Sequence, residues 1–297
     1  MTRFVPGPVR VTVPATSANL GPGFDTLGLA LDLRDELEAE ICGDSLQVSV
    51  SGAGAGEVPL DESHLVVRSM RAAFAAMHVD PQGLRLHCHN RVPHARGLGS
   101  SSAAIVGGIC LARALVAGGT LLLDDEGALQ LAGEMEGHPD NVAPALLGGF
   151  VISGSDGDRY WATRASVDPR ISAVVFIPPT PVATDVARGL LPEAVPHRDA
   201  AANAGRAALL VASLASAPER LLLATEDRLH QDYREPAMPE SLALVRDLRA
   251  DGHAAVISGA GPTVLVFGDG PALLGRCPEG WVAHHLAIDT AGVRVIG

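Results

Sequence analysis

The sequence predicts an α+β or two-layer α/β protein made of two intimately packed domains. Apolar and polar residues alternate in strand-like runs along the 297-residue chain, and helical spacing of apolar residues fills the intervals between these runs. No internal repeat or long linker interrupts the pattern. A shift in composition near 154–170 is the best position for a boundary, so we expect domains at 1–155 and 156–297.

The first half of the chain alternates strand and helix patterns. Strand-like runs occupy 9–13, 46–52 and 84–90. Helical spacing predicts a helix at 63–78 behind a Ser63 cap, and the small apolar residues of 101–117 predict a buried helix. Acidic residues at 124–126 suit the first turn of a further helix that runs to about Glu136, because carboxylates are favourable at a helix N-terminus.

The second half repeats this alternation of element types. Strand-like runs lie at 150–154 and 173–178, helical stretches at about 199–217, 218–229 and 240–250, and two apolar strand-like runs within 253–268. A glycine turn separates these last two runs. The second half is therefore expected to form its own layer of strands and helices.

Charge and composition exclude several classes of function. The formal net charge is −12, and both halves are negative, which makes nucleic acid and anionic membrane surfaces improbable partners. Aromatic residues make up only 3% of the chain, too few for a platform that stacks bases. The 22 cationic side chains are all arginine, which excludes a P-loop lysine, a protein-kinase lysine and a Schiff-base lysine.

Cysteine spacing and hydropathy indicate a cytoplasmic protein. The four cysteines are far apart and form no CxxC pair, so neither structural disulfides nor a zinc knuckle are expected. Residues 1–30 lack the basic start and apolar run of a signal peptide. The longest apolar stretch, 103–117, is interrupted by Arg113 and is too short to span a bilayer.

The segment PHARGLGSSSAA, residues 93–104, is the sharpest candidate for a binding loop. Gly97 and Gly99 allow the backbone to approach a ligand closely, and the serines at 100–102 open the buried helix. Backbone N–H groups and the positive end of the helix dipole favour an anion there. A serine-capped helix after a glycine turn is the structural alternative. Phosphate binding is favoured, because the serine run is longer than a cap needs.

Two other segments are also rich in glycine and small polar residues. PATSANLGPGFDTLG, residues 14–28, follows a strand, and SGAGPTV, residues 258–264, separates two apolar runs. Each taken alone is consistent with an ordinary turn. Three glycine-lined loops in one chain, however, suit a site that surrounds a small anionic ligand.

These three segments resemble the three motifs of the GHMP kinase superfamily. The first motif, together with EGHPDNVAPALLGG at 136–149, resembles the homoserine kinase branch, and the resemblance extends from residue 9 to 268. It implies an N-terminal ATP-binding domain at 1–155 with a left-handed βαβ unit. It also implies a C-terminal ferredoxin-like α/β sandwich at 156–297. The expected activity is ATP-dependent phosphorylation of the L-homoserine hydroxyl to O-phospho-L-homoserine, in threonine biosynthesis, by a homodimer.

The resemblance also implies which residues bind ATP and Mg²⁺. The expected ATP-binding residues are Pro93, His94, Ala95, Arg96, Gly97, Leu98, Gly99, Ser100, Ser101, Ser102 and Ala103. Ser101 and a glutamate at the end of the following helix are expected to hold Mg²⁺. Glu134 and Glu136 compete for this role, because two residues are separated by about 200° around a helix. Glu136 is favoured. Arg96 is as consistent with a surface arginine as with a phosphate ligand.

A homoserine acceptor is a zwitterion, so its site needs both charges. By the resemblance, Asp25 binds the ammonium, Arg188 and Arg234 bind the carboxylate, and Asn19 lies near the hydroxyl. The resemblance also places His138, Asn141 and Gly259 on the acceptor side. The expected catalytic residues are Asn19, Ser101, Glu136 and Asn141. We expect the hydroxyl to be activated by positioning, because no residue stands out as a strong general base.

Two alternatives stay open at this point. Another GHMP kinase acting on mevalonate or a sugar would share the loops, although Asp25 favours a substrate with an amine. A silent GHMP-fold binding protein would not need the serines at 100–102. A dinucleotide-dependent oxidoreductase would use the same glycine turn, with Asp124 or Asp125 near the ribose. Spacing alone does not exclude it, but the family resemblance does. His87 and His89 share one strand face, but a pair without a third ligand favours packing or solvent exposure over a metal site.

Overall fold

A computed structural model describes residues 4–268 and 270–296 and places their strands in two sheets. The strands are β1 Val9–Asn19, β2 Gly23–Glu40, β3 Leu46–Gly52, β4 Leu84–Asn90, β5 Phe150–Asp156, β6 Arg159–Ala165, β7 Ala173–Ile177, β8 Ala254–Ile257, β9 Val264–Phe267, β10 Val282–Leu286 and β11 Arg294–Ile296. The helices are α1 Leu65–Ala76, α2 Ser100–Leu115, α3 Gly119–Leu122, α4 Asp125–Glu136, α5 Pro139–Leu147, α6 Thr184–Gly189, α7 His197–Ser216, α8 Leu221–Ala224, α9 Pro239–Ala250 and α10 Pro271–Leu274. Short 3₁₀ segments lie at Pro218–Arg220 and Asp232–Ala237. None of the described helices combines the length and apolar character that a bilayer span requires.

The first sheet has seven strands, ordered β11-β1-β2-β4-β3, with β5 pairing with β2 and β6. β3 and β4 run parallel and are connected through α1, whereas the other pairs are antiparallel. The β1–β2 ladder shifts register after Pro14 and after Ala18. Pro14 lies at the first of these irregularities, where the lost backbone N–H costs least. The second precedes the turn into β2, which lies beside the cleft described below.

One face of the first sheet is covered by α1, α2, α4 and α5. Their side chains pack with Val11, Leu37 and Leu86 of the sheet. Most of α2 is buried because its small residues allow helices and strands to approach from several sides, as the sequence predicted. This layer therefore holds the N-terminal ends of α2 and α5 at the same edge of the sheet.

The second sheet has four antiparallel strands in the order β10-β7-β9-β8. Its strands alternate between two cores, as period-two geometry requires. Val174 and Val266 face α9, whereas Val175 and Leu265 face a core that also contains Phe150 of the first sheet. The two sheets thus share apolar packing, and the fold is a two-domain α+β fold. The division at residues 155 and 156 stays a prediction; the β5–β6 hairpin spans that position.

Several predicted elements have the bounds that the sequence indicated. β3 and β4 begin and end where predicted, and α4 begins after Asp124, whose carboxylate accepts a 2.8 Å hydrogen bond from the N–H of Gly127. The prediction of Ser63 as the cap of α1 is wrong. The N-cap of α1 is His64, because the Ser63 hydroxyl donates to Asp61 at 2.6 Å instead. The four cysteines are free, and Cys88 and Cys110 are buried.

Other elements differ from the sequence interpretation. The sequence analysis predicted neither β2 nor α5. The helix predicted at 218–229 ends at Ala224, because the carboxylate of Asp227 accepts the N–H groups of Leu229, His230 and Gln231 in a turn. On β4, His87 and His89 hydrogen-bond to serines of β3 at 2.9 and 3.0 Å.

Candidate active site

A cleft of about 610 Å³ opens where the loops of the two sheets meet. Its lining comes from the β1–β2 turn, the loop before α2, the α4–α5 junction, α6 and the turn after β8. The cleft therefore contains residues from all three glycine-rich segments. The residues that line it are Ala18, Asn19, Asp25, Ala95, Gly97, Gly99, Ser100, Ser101, Glu136, Gly137, His138, Asp140, Asn141, Thr184, Asp185, Arg188, Arg234, Gly259 and Ala260.

The loop before α2 is held closely against the other two glycine segments. Gly97 and Gly99 have φ values of +74° and +68°, a conformation that favours glycine. A Cβ on Gly97 would overlap the Ser258 carbonyl oxygen, and one on Gly99 would overlap the Thr16 hydroxyl. The glycines are thus required by packing within the protein, in addition to any approach to a ligand.

Hydrogen bonds connect the same three segments. The N–H of Thr16 donates to Leu98 O at 3.0 Å, and the Ser258 hydroxyl donates to Gly97 O at 2.6 Å. α2 starts at Ser100 and runs for 16 residues, so its first N–H groups carry the positive end of a full helix dipole. The loop and the helix start form a rigid concave surface suited to an anion.

Ser101 and Ser102 meet Glu136 at the edge of this surface. Their hydroxyl groups donate to Glu136 Oε1 at 2.7 and 2.9 Å. Glu134 does not line the cleft; its Oε1 accepts a 2.6 Å hydrogen bond from Gln130 on the same helix. The geometry therefore distinguishes the two glutamates. A carboxylate beside two hydroxyl groups is a set of oxygen donors that fits Mg²⁺.

The remaining residues of the predicted ATP loop occupy different environments. The side chains of Leu98 and Ala103 are buried in the apolar cores, so only their backbone can face a ligand. Arg96 donates to the carbonyl oxygens of Pro178, Pro179 and His94, which ties the loop to the segment after β7. Burial lowers the pKa of Arg96. Pro93 and His94 lie at the start of the loop and are half-buried.

Asn19 holds the β1–β2 turn against the turn after β8. Its Nδ2 donates to Gly259 O at 2.8 Å, and its Oδ1 accepts the N–H of Asp25 at 3.0 Å. Asn19 and Asp25 both have positive φ values, of 68° and 54°. The same Gly259 carbonyl accepts from Arg234 at 3.0 Å. Asn19 thereby positions the backbone on which Asp25 lies.

Asp25 and Arg188 form a bidentate ion pair across the cleft, with Nη2–Oδ1 and Nη1–Oδ2 distances of 2.7 and 3.0 Å. Both side chains are about one-third exposed, at 35% and 34%. The hydrogen bonds that Arg188 donates to Asp25 raise the pKa of Arg188; burial opposes this effect and the charge of Asp25 adds to it. The two residues expected to bind opposite ends of a zwitterion therefore contact each other in this structure.

Arg234 lacks a carboxylate partner within the described residues. Its side chain is buried, with 1% of the residue exposed, and Nη1 donates to His230 Nδ1 at 3.1 Å and to Gly259 O. Its Nε has no hydrogen-bond partner. Burial, and then the neighbouring charge of Arg188, lower the pKa of Arg234 to about 10. A buried cation without an anion is costly, so the cleft is prepared for a negatively charged group.

Phe24 and His230 are site residues that the sequence analysis missed. The Phe24 ring lies 5.5 Å from the Arg188 guanidinium and 5.6 Å from that of Arg234, and it stacks on His230 at 5.2 Å. Cation–π contact of this kind stabilises two like charges beside one ring. The only signal in the sequence was the position of Phe24 directly before Asp25.

The α4–α5 junction carries His138, Asp140 and Asn141. His138 Nδ1 lies 2.6 Å from Asp140 Oδ1, and Asp140 is almost completely buried. Burial disfavours the imidazolium, but the hydrogen bond and charge of Asp140, with the charge of Glu136, raise the pKa of His138. Asn141 Oδ1 accepts a 2.8 Å hydrogen bond from the Thr16 hydroxyl, which connects α5 to β1.

The chain is similar to known proteins over nearly its whole length. The family model of the GHMP kinases N terminal domain matches residues 64–149. A homoserine kinase of Streptomyces avermitilis is 56% identical over 291 residues, which cover 97% of this chain and 95% of that protein.

Two solved structures have the same fold. The crystal structure of homoserine kinase from Cytophaga hutchinsonii aligns with a TM-score of 0.83 at 26% identity, over 97% of both chains. The structure of a putative homoserine kinase from Listeria monocytogenes aligns with a TM-score of 0.74 at 32% identity, over 97% of this chain and 99% of that one.

Proposed function

The chain belongs to the homoserine kinase family of the GHMP kinases, and from this membership we propose how its cleft binds ATP and L-homoserine. The enzyme transfers the terminal phosphoryl group of ATP to the side-chain hydroxyl of L-homoserine, a step of threonine biosynthesis. The products are ADP and O-phospho-L-homoserine. The observation that carries the acceptor assignment is the buried guanidinium of Arg234 beside an Asp25–Arg188 pair.

The loop at 93–104 binds the phosphates of ATP. Phosphoryl transfer requires positioning and charge neutralisation more than covalent chemistry, and a rigid set of backbone N–H groups supplies both. The left-handed Gly97 and Gly99 turn the backbone toward the cleft, and α2 adds its dipole. Hydrogen bonds to Thr16 and Ser258 hold the loop in place before ATP arrives.

Glu136 and Ser101, whose oxygens lie 2.7 Å apart, would hold Mg²⁺. When bound there, Mg²⁺ would neutralise charge on the phosphates. Glu134 has no part in this proposal, because its carboxylate lies outside the cleft. Ser102 orients the Glu136 carboxylate through its own 2.9 Å hydrogen bond.

L-Homoserine binds by replacing the ion-pair partners of Asp25 and Arg188 with its own charged groups. Its carboxylate binds Arg234 and Arg188, and its ammonium binds Asp25. The Asp25–Arg188 ion pair must open for this, but each member then meets an opposite charge on the substrate. The exchange replaces the Asp25–Arg188 ion pair by contacts between opposite charges at Asp25, Arg188 and Arg234, which favours a substrate that carries both charges.

The acceptor hydroxyl is activated by positioning between Asn19 and Asn141, and its proton leaves to the phosphate or to water. Asp140 and Glu136 raise the pKa of His138 against the effect of burial, which extends the pH range in which the imidazole is protonated. A protonated imidazole cannot accept a proton, but it can stabilise negative charge near the transferred group. The α4–α5 junction therefore supports the transfer through charge and position.

A panel of acceptors in a coupled ADP-release assay tests this assignment. Homoserine should give the highest kcat/KM. Values for 4-hydroxybutanoate, which lacks the ammonium, and 3-aminopropan-1-ol, which lacks the carboxylate, should be lower by at least about tenfold each. Mevalonate and galactose serve as acceptors of the related kinases. A kcat/KM for mevalonate or galactose above that for homoserine would contradict the homoserine assignment.

A homodimer and a cytoplasmic location remain predictions from the sequence. Light scattering coupled to size-exclusion chromatography measures the first directly, with a dimer expected at about twice the 30.6 kDa of one chain.

A further inference from the structure

The imidazole of His230 contacts Arg234 and is not among the residues that line the cleft. The ring is completely buried. Its Nδ1 lies 3.1 Å from Arg234 Nη1, and its Nε2 lies 2.7 Å from Gly21 O. We propose that His230 is a positioning residue that orients the Arg234 guanidinium for the substrate carboxylate, an inference that rests on the carboxylate site proposed above.

The two hydrogen bonds determine the tautomer of His230. A carbonyl oxygen only accepts, so Nε2 must carry the proton that it donates to Gly21 O. A guanidinium only donates, so Nδ1 must be the unprotonated acceptor for Arg234. The ring is therefore neutral. Burial, and the charge of Arg234 acting against that of Asp227, lower the pKa of His230 in agreement with this form.

The ring is held from three directions. Phe24 stacks on it at a ring-centroid distance of 5.2 Å and an angle of 29°. Gly21 anchors one end, and Asp227 accepts the backbone N–H groups of His230 and Gln231 at 3.1 and 2.7 Å, which fixes the turn that carries the ring. An acceptor constrained in this way can constrain its donor.

His230 holds one side of the guanidinium and leaves the other side free. Nη1 of Arg234 donates to His230 and to Gly259, whereas Nε and Nη2 donate to no described residue. A planar guanidinium held at one nitrogen keeps its remaining donors in a defined plane, which is what a bidentate carboxylate requires.

The neutrality of the ring matters as much as its position. A carboxylate at 230 would pair with Arg234 and neutralise it, so the substrate carboxylate would have to displace it. An imidazole accepts a hydrogen bond without contributing negative charge. Arg234 therefore stays oriented and still lacks an anion until the substrate arrives.

The test compares two acceptors in His230→Phe, which keeps a ring for stacking on Phe24 and removes both hydrogen bonds. The kcat/KM for homoserine should fall about tenfold, mainly through a higher KM. The kcat/KM for 3-aminopropan-1-ol and the KM for MgATP should change by less than about twofold, because neither involves the carboxylate. Equal losses with both acceptors would overturn the inference, since a ring that only supports the fold would affect both alike.

Three further variants keep the test decisive. His230→Gln offers an amide oxygen to Arg234, and it should recover part of the homoserine kcat/KM relative to His230→Phe. If His230→Phe does not fold, as judged by thermal melting, His230→Leu, which also removes both hydrogen bonds, carries the comparison of the two acceptors. Thr225→Val is a matched control, because Thr225 is buried in the neighbouring turn and does not contact Arg234. It should leave the ratio of kcat/KM for homoserine to kcat/KM for 3-aminopropan-1-ol unchanged.

A double-mutant cycle separates this inference from the proposed function. In an Arg234→Met background, His230→Phe should cost little further kcat/KM for homoserine, because the two residues act through one contact. Additive losses would contradict the positioning role. If Arg234→Met alone leaves homoserine unaffected, the proposed carboxylate site is wrong; if only His230→Phe lacks an effect, the site stands and this inference is wrong.

Discussion

At the residue scale, the two arginines of the cleft differ in their partners. Arg188 is already bound to Asp25, whereas Arg234 is buried without a carboxylate among the described residues. In the proposed acceptor site, Asp25 binds the substrate ammonium and competes with the substrate carboxylate for Arg188. Its removal should have opposite effects on substrates that carry one charge or the other.

Asp25→Asn tests this double role. A charge-assisted hydrogen bond contributes about 1.5–3 kcal/mol, so kcat/KM for homoserine should fall by about one to two orders of magnitude. For 4-hydroxybutanoate it should stay the same or rise, because Arg188 is freed for the carboxylate. Steady-state kinetics with both substrates measures the contrast. A matching decrease with 4-hydroxybutanoate would show that Asp25 does not bind the ammonium.

Glu136→Gln and Glu134→Gln form a matched pair on one helix. Replacing Glu136 removes a negatively charged oxygen ligand, so the Mg²⁺ concentration for half-maximal activity should rise about tenfold or more. Glu134→Gln should leave it unchanged, since that side chain contacts Gln130 outside the cleft. Titration of activity against Mg²⁺ at fixed ATP distinguishes the two. An equal response would remove the support that the geometry gives to Glu136.

The motif residues of this site could be predicted from the sequence, whereas two of their neighbours could not. Asn19, Ser101 and Glu136 belong to segments with unusual spacing of glycine, serine and acidic residues, and the structure brings them to one cleft. Phe24 and His230 are separated by more than 200 residues along the chain and meet only in the fold. No local pattern in the sequence predicts a contact between residues so far apart in the chain.

At the element scale, β2 carries Asp25 and α5 carries Asn141, and neither element was predicted. The second half of β2 is rich in leucine, aspartate and glutamate, which is compatible with a helix, but pairing with β1 and β4 on both sides makes it a strand. α5 begins with Pro139 at its first position, where proline is tolerated. Elements with a cap and clear periodicity, such as α4, could be predicted.

Gly28→Ala tests the packing between β2 and α5. A Cβ at residue 28 would overlap the backbone oxygen of Asp140, so α5 would have to move. We expect a loss of about 1–3 kcal/mol in the free energy of unfolding and a lower kcat, because Asn141 and His138 move with the helix.

Gly205→Ala is the control for this substitution. Gly205 lies inside α7, and a Cβ there meets nothing within 4 Å. Alanine should stabilise the helix by about 0.5–1 kcal/mol without changing kcat. Denaturant unfolding and steady-state kinetics measure both variants. A fully active and stable Gly28→Ala would show that α5 tolerates displacement.

At the scale of the whole molecule, the two sheets depend on each other. They share one apolar core, and the last strand, β11, returns to pair with β1. The sequence predicted two closely packed domains from the order of its elements. The shared core and the return of β11 could not be predicted, because they depend on contacts between residues far apart in the chain.

Asp289→Ala tests how the segment that leads into β11 is held against the first sheet. The Asp289 side chain is 1% exposed and forms an ion pair with Arg34 of β2, whose side chain is 13% exposed. It also accepts the N–H groups of Ala291 and Gly292. Removing one partner of a buried pair should destabilise the protein by about 3–5 kcal/mol. Calorimetry should show a single transition at a lower Tm, because both sheets share a core.

Glu126→Gln removes a partner of Arg159 on the surface, where both side chains are exposed. It should change the free energy of unfolding by no more than about 0.5 kcal/mol. Two separate unfolding transitions in Asp289→Ala or in Glu126→Gln would contradict the cooperative coupling of the sheets.

The contact between Ser258 and Gly97 also bears on when the protein acquires ATP binding during its synthesis. Ser258 lies 161 positions after Gly97 and supports the loop that we propose binds the phosphates of ATP. A nascent chain on the ribosome carries the complete loop long before the turn that holds it has been made. We therefore expect the nucleotide site to be among the last parts of the chain to form during synthesis.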